Sequence, residues 1–276
     1  MLKQNQKTVG ALSLSLDFEE RLLAGNLNFE IYSVYQRVIN LIEDDQEIYS
    51  IVLKSIDNAP HSLRINSNTS FKKRGINSAD DIKIINKKLF ISNKLIIELA
   101  DYQLFESQLK KKIKLNLEIL KINLKESSAI MREKGSAGGA KYFYQKNFTN
   151  YKLPGKPGTI EKEFANRVEK HILAAEKKPE KIIGFGMGLT PTGDDFLLGY
   201  FLTMAAVDNN YSEKVYKSLK LNLEKIEFLT TDISRAMLKR ALELKSRENI
   251  KKLILSLNEE SPKTKFYLKK VLKIGS

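Results

Sequence analysis

The chain has 276 residues, 42% hydrophobic and 29% charged, with no cysteine, which fits a soluble protein of one large domain or two small ones. Lack of cysteine excludes a disulfide framework and a thiolate zinc site, and accords with a reducing, cytoplasmic location. The net charge of +14 suits nucleic acid, but only nine of the 47 basic residues are arginine, so the excess reads as compositional and no nucleic-acid partner is expected.

Lys3 and Lys7 precede an apolar run, Val9 to Leu16, in the manner of a signal peptide. Asp17-Phe-Glu-Glu20 follows at once without a small-residue cleavage site, so a strand is expected instead. Leu12, Leu14 and Leu16 alternate with serines, and Ile82 and Ile84 alternate with charged neighbours, as strands do. Glu47 to Leu53, Leu89 to Ile91 and Lys94 to Leu99 are further short apolar pieces between polar turns, and the stretches 66–70 and 77–81 supply turn chemistry. Residues 1–100 therefore read as a β-rich, barrel-like region.

From about residue 101 the pattern becomes helical. Leu109, Ile113, Leu117, Leu120 and Leu124 predict one apolar helix face, with Lys110, Lys111, Lys112, Lys114 and Lys121 on the solvated side. Lys134 to Lys141 reads as a glycine-containing connector, and Tyr142-Phe-Tyr144 and Leu153 to Gly158 continue it. A helix over 160–177 carries Phe164, Val168, Ile172 and Ala175 on one stripe, and Pro179 closes it. Further helices are expected over 215–226, 232–245, 250–257 and 265–272. The fold class is thus α+β, with a β-rich part at 1–100 and a mainly helical part at 101–276. No run reaches the roughly 20 apolar residues of a membrane span.

The helical part is organised around Gly184-Phe-Gly-Met-Gly-Leu-Thr-Pro-Thr-Gly-Asp-Asp-Phe-Leu-Leu-Gly199, which holds five of the fourteen glycines. Thr190 before Pro191, or Thr192 with Asp195, predicts a helix start. The run Phe196 to Val207 is apolar on almost every face and predicts a buried central helix. The loop then presents bare N–H groups and two carboxylates at a helix N-terminus, where anions bind. Gly188-x-x-x-x-Gly193 begins like a Walker A loop, but Asp194 stands where lysine is required, and Gly184-x-Gly186-x-Gly188 fails the dinucleotide fingerprint. Asp194 and Asp195 can orient an amide, act as acid or base, or hold Mg²⁺. With no third acidic neighbour in the loop they make a poor metal cage, so no cofactor is expected, and Mg²⁺ is the one ion considered. Adjacent helix positions point about 100° apart, so the two side chains are expected to differ in role. Plain close packing of the glycines, with Asp195 as the helix cap, is the competing reading.

His61-Ser-Leu-Arg64 follows Pro60, and Arg64 suits a carboxylate, although an ordinary turn and strand start explains the stretch as well. His171 reads as a half-buried helix residue. Thr230, Thr231, Ser234 and Arg235 read as a capped helix start.

The run G-x-G-x-G-L-T-P-[ST]-G-D-D-F-L-x-G resembles the signature of a prokaryotic family, long of unknown function, that includes the AllH-type subunit of oxamate carbamoyltransferase. Weaker echoes lie at Ile31 to Leu41, Asn58 to Arg64 and Thr230 to Leu238. The resemblance implies a cytosolic subunit, acting with partner subunits, that transfers a carbamoyl group between oxalurate and phosphate to give oxamate and carbamoyl phosphate in ureide nitrogen breakdown. The Ser-Thr-Arg-Thr phosphate motif of ordinary transcarbamoylases is absent, so another architecture would be at work. With the loop reading, it points to Asp194 and Asp195 as catalytic residues, and to Gly184, Gly186, Gly188, Thr190, Thr192, Gly193, Ser234, Arg235 and Arg64 as contacts to a small anionic substrate. The rival readings are a stand-alone Mg²⁺-dependent hydrolase or transferase using the aspartate pair, and a non-catalytic ligand-sensing or scaffolding subunit.

Overall fold

The computed structural model describes residues 7–25, 28–44, 46–110, 112–135, 140–148, 156–174, 178–223, 229–259 and 261–274. The chain divides into two compact units, Met1–Ser107 and Gln108–Ser276. It is an α+β protein, strands first and helices after.

In the first unit, strand β1 (Lys7–Ser15) leads directly into helix α1 (Leu16–Leu23). Strands β2 (Glu30–Val34), β3 (Val38–Ile42), β4 (Ile48–Leu53) and β5 (Ser62–Ile65) follow. Then come β6 (Ile82–Ile85), β7 (Lys88–Ile91), β8 (Leu95–Glu98) and β9 (Gln103–Phe105). They form one sheet in the order β2-β3-β4-β5-β1-β8-β7-β6, with β9 also on β1. The long β1 is central because it takes β5 antiparallel on one edge and β8, then β9, parallel on the other. A bulge between Ala11 and Ser13 shifts its register against β5.

The leucine–serine alternation of β1 does mark a strand, but its serines are not on a wet face. Ser13 and Ser15 are buried, and Ser15 Oγ accepts the N–H of Phe18, capping α1, and that of Ser62 at 3.1 Å. The 58–64 stretch is a turn and strand start. His61 sits at φ 52° with its ring stacked on Tyr49, 4.7 Å between centroids, and the Ser62 hydroxyl donates to Ala59 O at 2.6 Å. Ile82 and Ile84 point to one side of β6 and are half-buried, while Lys83 and Ile85 are exposed.

The second unit contains α2 (Leu117–Lys134), α3 (Lys141–Phe148), α4 (Thr159–Val168) and α5 (Thr192–Ala206). After these come α6 (Asn210–Leu223), α7 (Asp232–Leu242), α8 (Glu248–Ser256) and α9 (Ser261–Val271). Three expectations are corrected. First, Leu109 and Ile113 are buried but extended, and α2 begins only at Leu117. The Ile113 N–H donates to Ala206 O, one of the last carbonyls of α5, and the Leu109 N–H to Leu244 O, each at 2.7 Å. Carbonyls at or just past a helix end lack acceptor partners of their own, so they capture this segment. Lys110, Lys112 and Lys114 are exposed along it, and Asn116 caps α2. Second, Tyr142, Phe143 and Tyr144 belong to α3 rather than to a connector, because Phe143 packs edge-on against Phe164 and Phe196. The connector glycines Gly138 and Gly139 and residues 151–155 lie outside the described residues. Third, α4 ends at Val168 and continues as a π-helical turn, Glu169–Leu173. Its stripe of Phe164, Val168 and Ile172 is fully buried, as its spacing predicts, whereas Ala175 lies outside the described residues.

Helix α5 is the centre of this unit and packs against α6, α7 and α8. Every residue from Thr192 to Ala206 is buried or half-buried except Asp195. Among the described residues, no helix is long and apolar enough to cross a membrane.

Candidate functional site

A short 3₁₀ turn, Pro179–Lys181, precedes the loop, and Pro191 occupies the position before α5. Pro191 has no side-chain oxygen, so α5 lacks a side-chain cap, and neither threonine has the capping role its spacing predicted. Instead Pro191 O accepts the N–H groups of Asp194 and Asp195, at 3.0 and 3.1 Å. Both aspartates therefore lie within the first turn of α5, where negative charge meets the positive end of the helix. Asp195 is not the cap.

The 100° step between neighbours sends the two carboxylates to different places. Asp194 is 2% exposed. Its Oδ1 accepts the Gly184 N–H at 2.8 Å, and its Oδ2 accepts the hydroxyls of Ser234, at 2.6 Å, and Thr230. One carboxylate thus ties the loop entrance to the start of α7. The Thr231 hydroxyl adds a second tie, donating to Leu189 O at 2.6 Å while its oxygen caps α7 by accepting the Ser234 N–H.

Asp195 is solvent-exposed, yet enough protein surrounds it that burial pushes its carboxyl up to about 6. The negative charge of Asp194 raises it further, and a hydrogen bond with Thr190 lowers it. One turn further along α5, a side chain at Gly199 would meet nothing within 4 Å, so the backbone there is open.

The glycines fall into two groups. A Cβ at Gly184 or Gly193 would lie 2.0 Å from a carbonyl oxygen, of Leu229 and Ile182 respectively, and one at Gly186 would lie 2.7 Å from Thr192 N. Those three are required for packing. The Gly193 N–H is taken by Phe185 O at 2.8 Å, so it is not available to a ligand as expected. Gly188 differs: φ is 92°, and a Cβ there would meet nothing within 4 Å. Met187 and Leu189 beside it are 80% and 47% exposed. Among the described residues, no hydrogen bond uses the N–H groups of Gly186, Met187, Gly188, Leu189 or Thr190. The loop tip therefore offers free donors close in sequence to a carboxyl poised near neutrality, a combination suited to a small ligand with oxyanion and amide groups.

A family model described as oxamate carbamoyltransferase subunit AllH matches residues 182–276, and one described as the AllH family N-terminal domain matches residues 10–104. The chain belongs to the AllH family. No solved structure matches it. The first AllH match begins at Ile182, the residue whose carbonyl packs on Gly193, so it takes in the whole loop together with α5 to α9.

Within this AllH-family chain, the structure brings together Gly184, Gly186, Thr190, Thr192, Gly193, Asp194, Asp195 and Ser234, with Ser234 engaged by Asp194. Arg235 forms an ion pair with Asp232 at 2.9 Å, one turn back on α7. Arg64 belongs to the first unit, on β5. Sequence reasoning missed Arg167, whose guanidinium lies 4.6 Å from the ring centroid of Phe185 and donates to Lys181 O at 3.3 Å. Its i,i+4 spacing gives an ion pair with Glu163 at 2.7 Å, but the two contacts to the loop arise only because the loop folds back on α4. Among the described residues, no group of three or more His, Cys, Asp or Glu side chains is placed to hold a metal ion.

Proposed function

We propose that the chain is a subunit of an oxamate carbamoyltransferase-like enzyme, working in the cytoplasm with partner subunits. Its substrate is a small carbamoyl and carboxylate compound, and its reaction interconverts oxalurate plus phosphate with oxamate plus carbamoyl phosphate. The family match supports the enzyme class. The observation that carries the site is the single exposed side chain of an otherwise buried helix, a carboxyl raised to about 6 beside a loop of free N–H groups.

In this reading a phosphate oxygen attacks the carbamoyl carbon of oxalurate, and the bond from that carbon to the oxamate nitrogen breaks. The proton leaving phosphate ends on that nitrogen, so atoms and charge balance. A carboxyl with a pKa near 6 exchanges protons at neutral pH, and Asp195 is assigned that transfer. The N–H groups around Gly188 hold substrate oxygens where negative charge develops. Asp194 is a positioning residue, since its oxygens are occupied by Gly184, Thr230 and Ser234.

The test is to purify the chain with its native partners and assay carbamoyl phosphate formation. Asp195→Asn is expected to lower kcat by at least about a hundredfold, the usual scale of general acid–base catalysis, with assembly unchanged. Full turnover by that variant would refute the assignment. Turnover by the isolated chain with Mg²⁺ would favour a stand-alone enzyme instead.

A further inference from the structure

The hydroxyl of Thr231 makes two hydrogen bonds that serve different elements. Its oxygen accepts the Ser234 N–H at 3.1 Å and so caps α7. Its proton goes to Leu189 O at 2.6 Å, 42 residues back in the loop. A hydroxyl carries one donor and two acceptor lone pairs, so both bonds form at once. Capping needs only the oxygen. The proton is free to rotate to other acceptors, and Leu189 is 47% exposed, so water can serve its carbonyl instead. The cap therefore does not require the bond to Leu189.

The consequence of that bond lies in the next peptide unit. The Leu189 carbonyl and the Thr190 N–H belong to one planar peptide, in which the two groups point in opposite directions. Holding the carbonyl on α7 thus fixes the direction of the Thr190 N–H, away from Thr231. A carbonyl that accepts a hydrogen bond also polarises its peptide, which strengthens the N–H as a donor. Among the described residues, the Thr190 N–H is one of the loop donors without a partner. Of these donors, from Gly186 to Thr190, two follow a carbonyl that is itself held: Gly186, after Phe185 O, and Thr190. Gly186 is at the base of the loop, packed on Thr192. The Thr190 side chain, in turn, hydrogen-bonds the Asp195 carboxyl. One residue therefore joins an aimed, free donor to that carboxyl, and α7 and α5 hold it from opposite ends.

We propose that Thr231 is a positioning residue, which holds the Thr190 N–H in line with a carboxylate or phosphate oxygen of the substrate beside Asp195. This inference rests on the reading of the loop as the anion site, and it assigns one donor within that loop. It also makes the start of α7 part of the site's framework, since Thr230 and Ser234 hold Asp194 from the same turn.

The test follows the amide signals of residues 186–190 in the full chain by NMR. The chain is titrated with inorganic phosphate, oxamate or chloride at constant ionic strength, and selective threonine labelling identifies the Thr190 signal. That signal is expected to shift saturably with phosphate or oxamate and not with chloride. Thr231→Ser keeps the donor and the cap, and is expected to bind like the unmodified chain. Thr231→Gly is still a tolerable cap but has no hydroxyl, and Thr231→Val loses both roles. Each of these two is expected to raise the Kd about tenfold, the scale of one lost hydrogen bond to a charged group. Thr231→Val is expected to lower the Tm more than Thr231→Gly, so equal losses of affinity show that binding follows the donor and not the cap. If other loop amides shift and Thr190 does not, or if Thr231→Gly binds as tightly as the unmodified chain, the proposal is overturned while the loop remains an anion site. If no amide from 186 to 190 shifts saturably, or all respond equally to chloride, the reading of the loop fails and this inference fails with it.

Discussion

The base and the tip of the glycine-rich loop use the same residue types for opposite purposes. At the base, Gly184, Gly186 and Gly193 are pressed against neighbouring backbone, and Asp194 gathers three donors in a buried position. At the tip, Gly188 meets nothing within 4 Å and Met187 and Leu189 face solvent, and in the first turn of α5 Asp195, unlike Asp194, is open to water. A glycine-rich motif is therefore not one uniform cradle. Its outer glycines fold the loop, and its inner stretch, Met187 to Leu189, is exposed to solvent.

This contrast breaks most sharply at Gly193. Gly193→Ala places a methyl group 2.0 Å from Ile182 O, against backbone that cannot rotate away. A loss of at least about 3 kcal/mol is expected, the scale of severe overpacking. Thermal or urea unfolding of Gly193→Ala beside Gly188→Ala measures it. Equal, small losses in both would erase the distinction between base and tip.

Asp194→Ala comes next. It leaves the Gly184 N–H and the Thr230 and Ser234 hydroxyls without their acceptor, and a cost of about 2 to 3 kcal/mol is expected. Asp194→Asn should cost less, since its amide oxygen can still accept from Gly184. If Asp194→Ala unfolds like the unmodified chain, Asp194 is not the tie between loop and α7. Gly188→Ala, in open space but at φ 92°, is expected to cost about 1 kcal/mol.

The smallest effect sharpens the picture at Asp195. Its folded-state value of about 6 lies above the ordinary 3.8, so between those pH values the native chain holds a proton that the unfolded chain has released. The stability this group contributes is fully present below about pH 4 and is lost as pH rises through about 6. Asp195→Asn should remove that component. The difference in Tm between the variant and the unmodified chain should therefore rise in the variant's favour from pH 4 to pH 7. A difference that stays flat across that range would show that the carboxyl titrates normally.

Much of this was legible in the residues themselves. Alternation marked β1 and β6, an apolar stripe with a spacing of four marked Phe164, Val168 and Ile172, and an all-round apolar run marked α5 as buried. These signals are local, because a strand or helix imposes its period on the residues that form it. The density of glycines likewise identified the loop, and the Thr231 cap identified the start of α7.

Tertiary structure alone decided the rest. Leu109 and Ile113 have helical spacing, but distant carbonyls at Leu244 and Ala206 draw their N–H groups into an extended segment. Spacing suggested that Asp194 and Asp195 differ, but not which faces inward. That depends on Thr230 and Ser234, 36 and 40 residues further along the chain, whose hydroxyls reach Asp194 and leave Asp195 to the solvent. A carboxylate is turned inward by the donors that surround it, and those arrive from other elements only when the chain has packed.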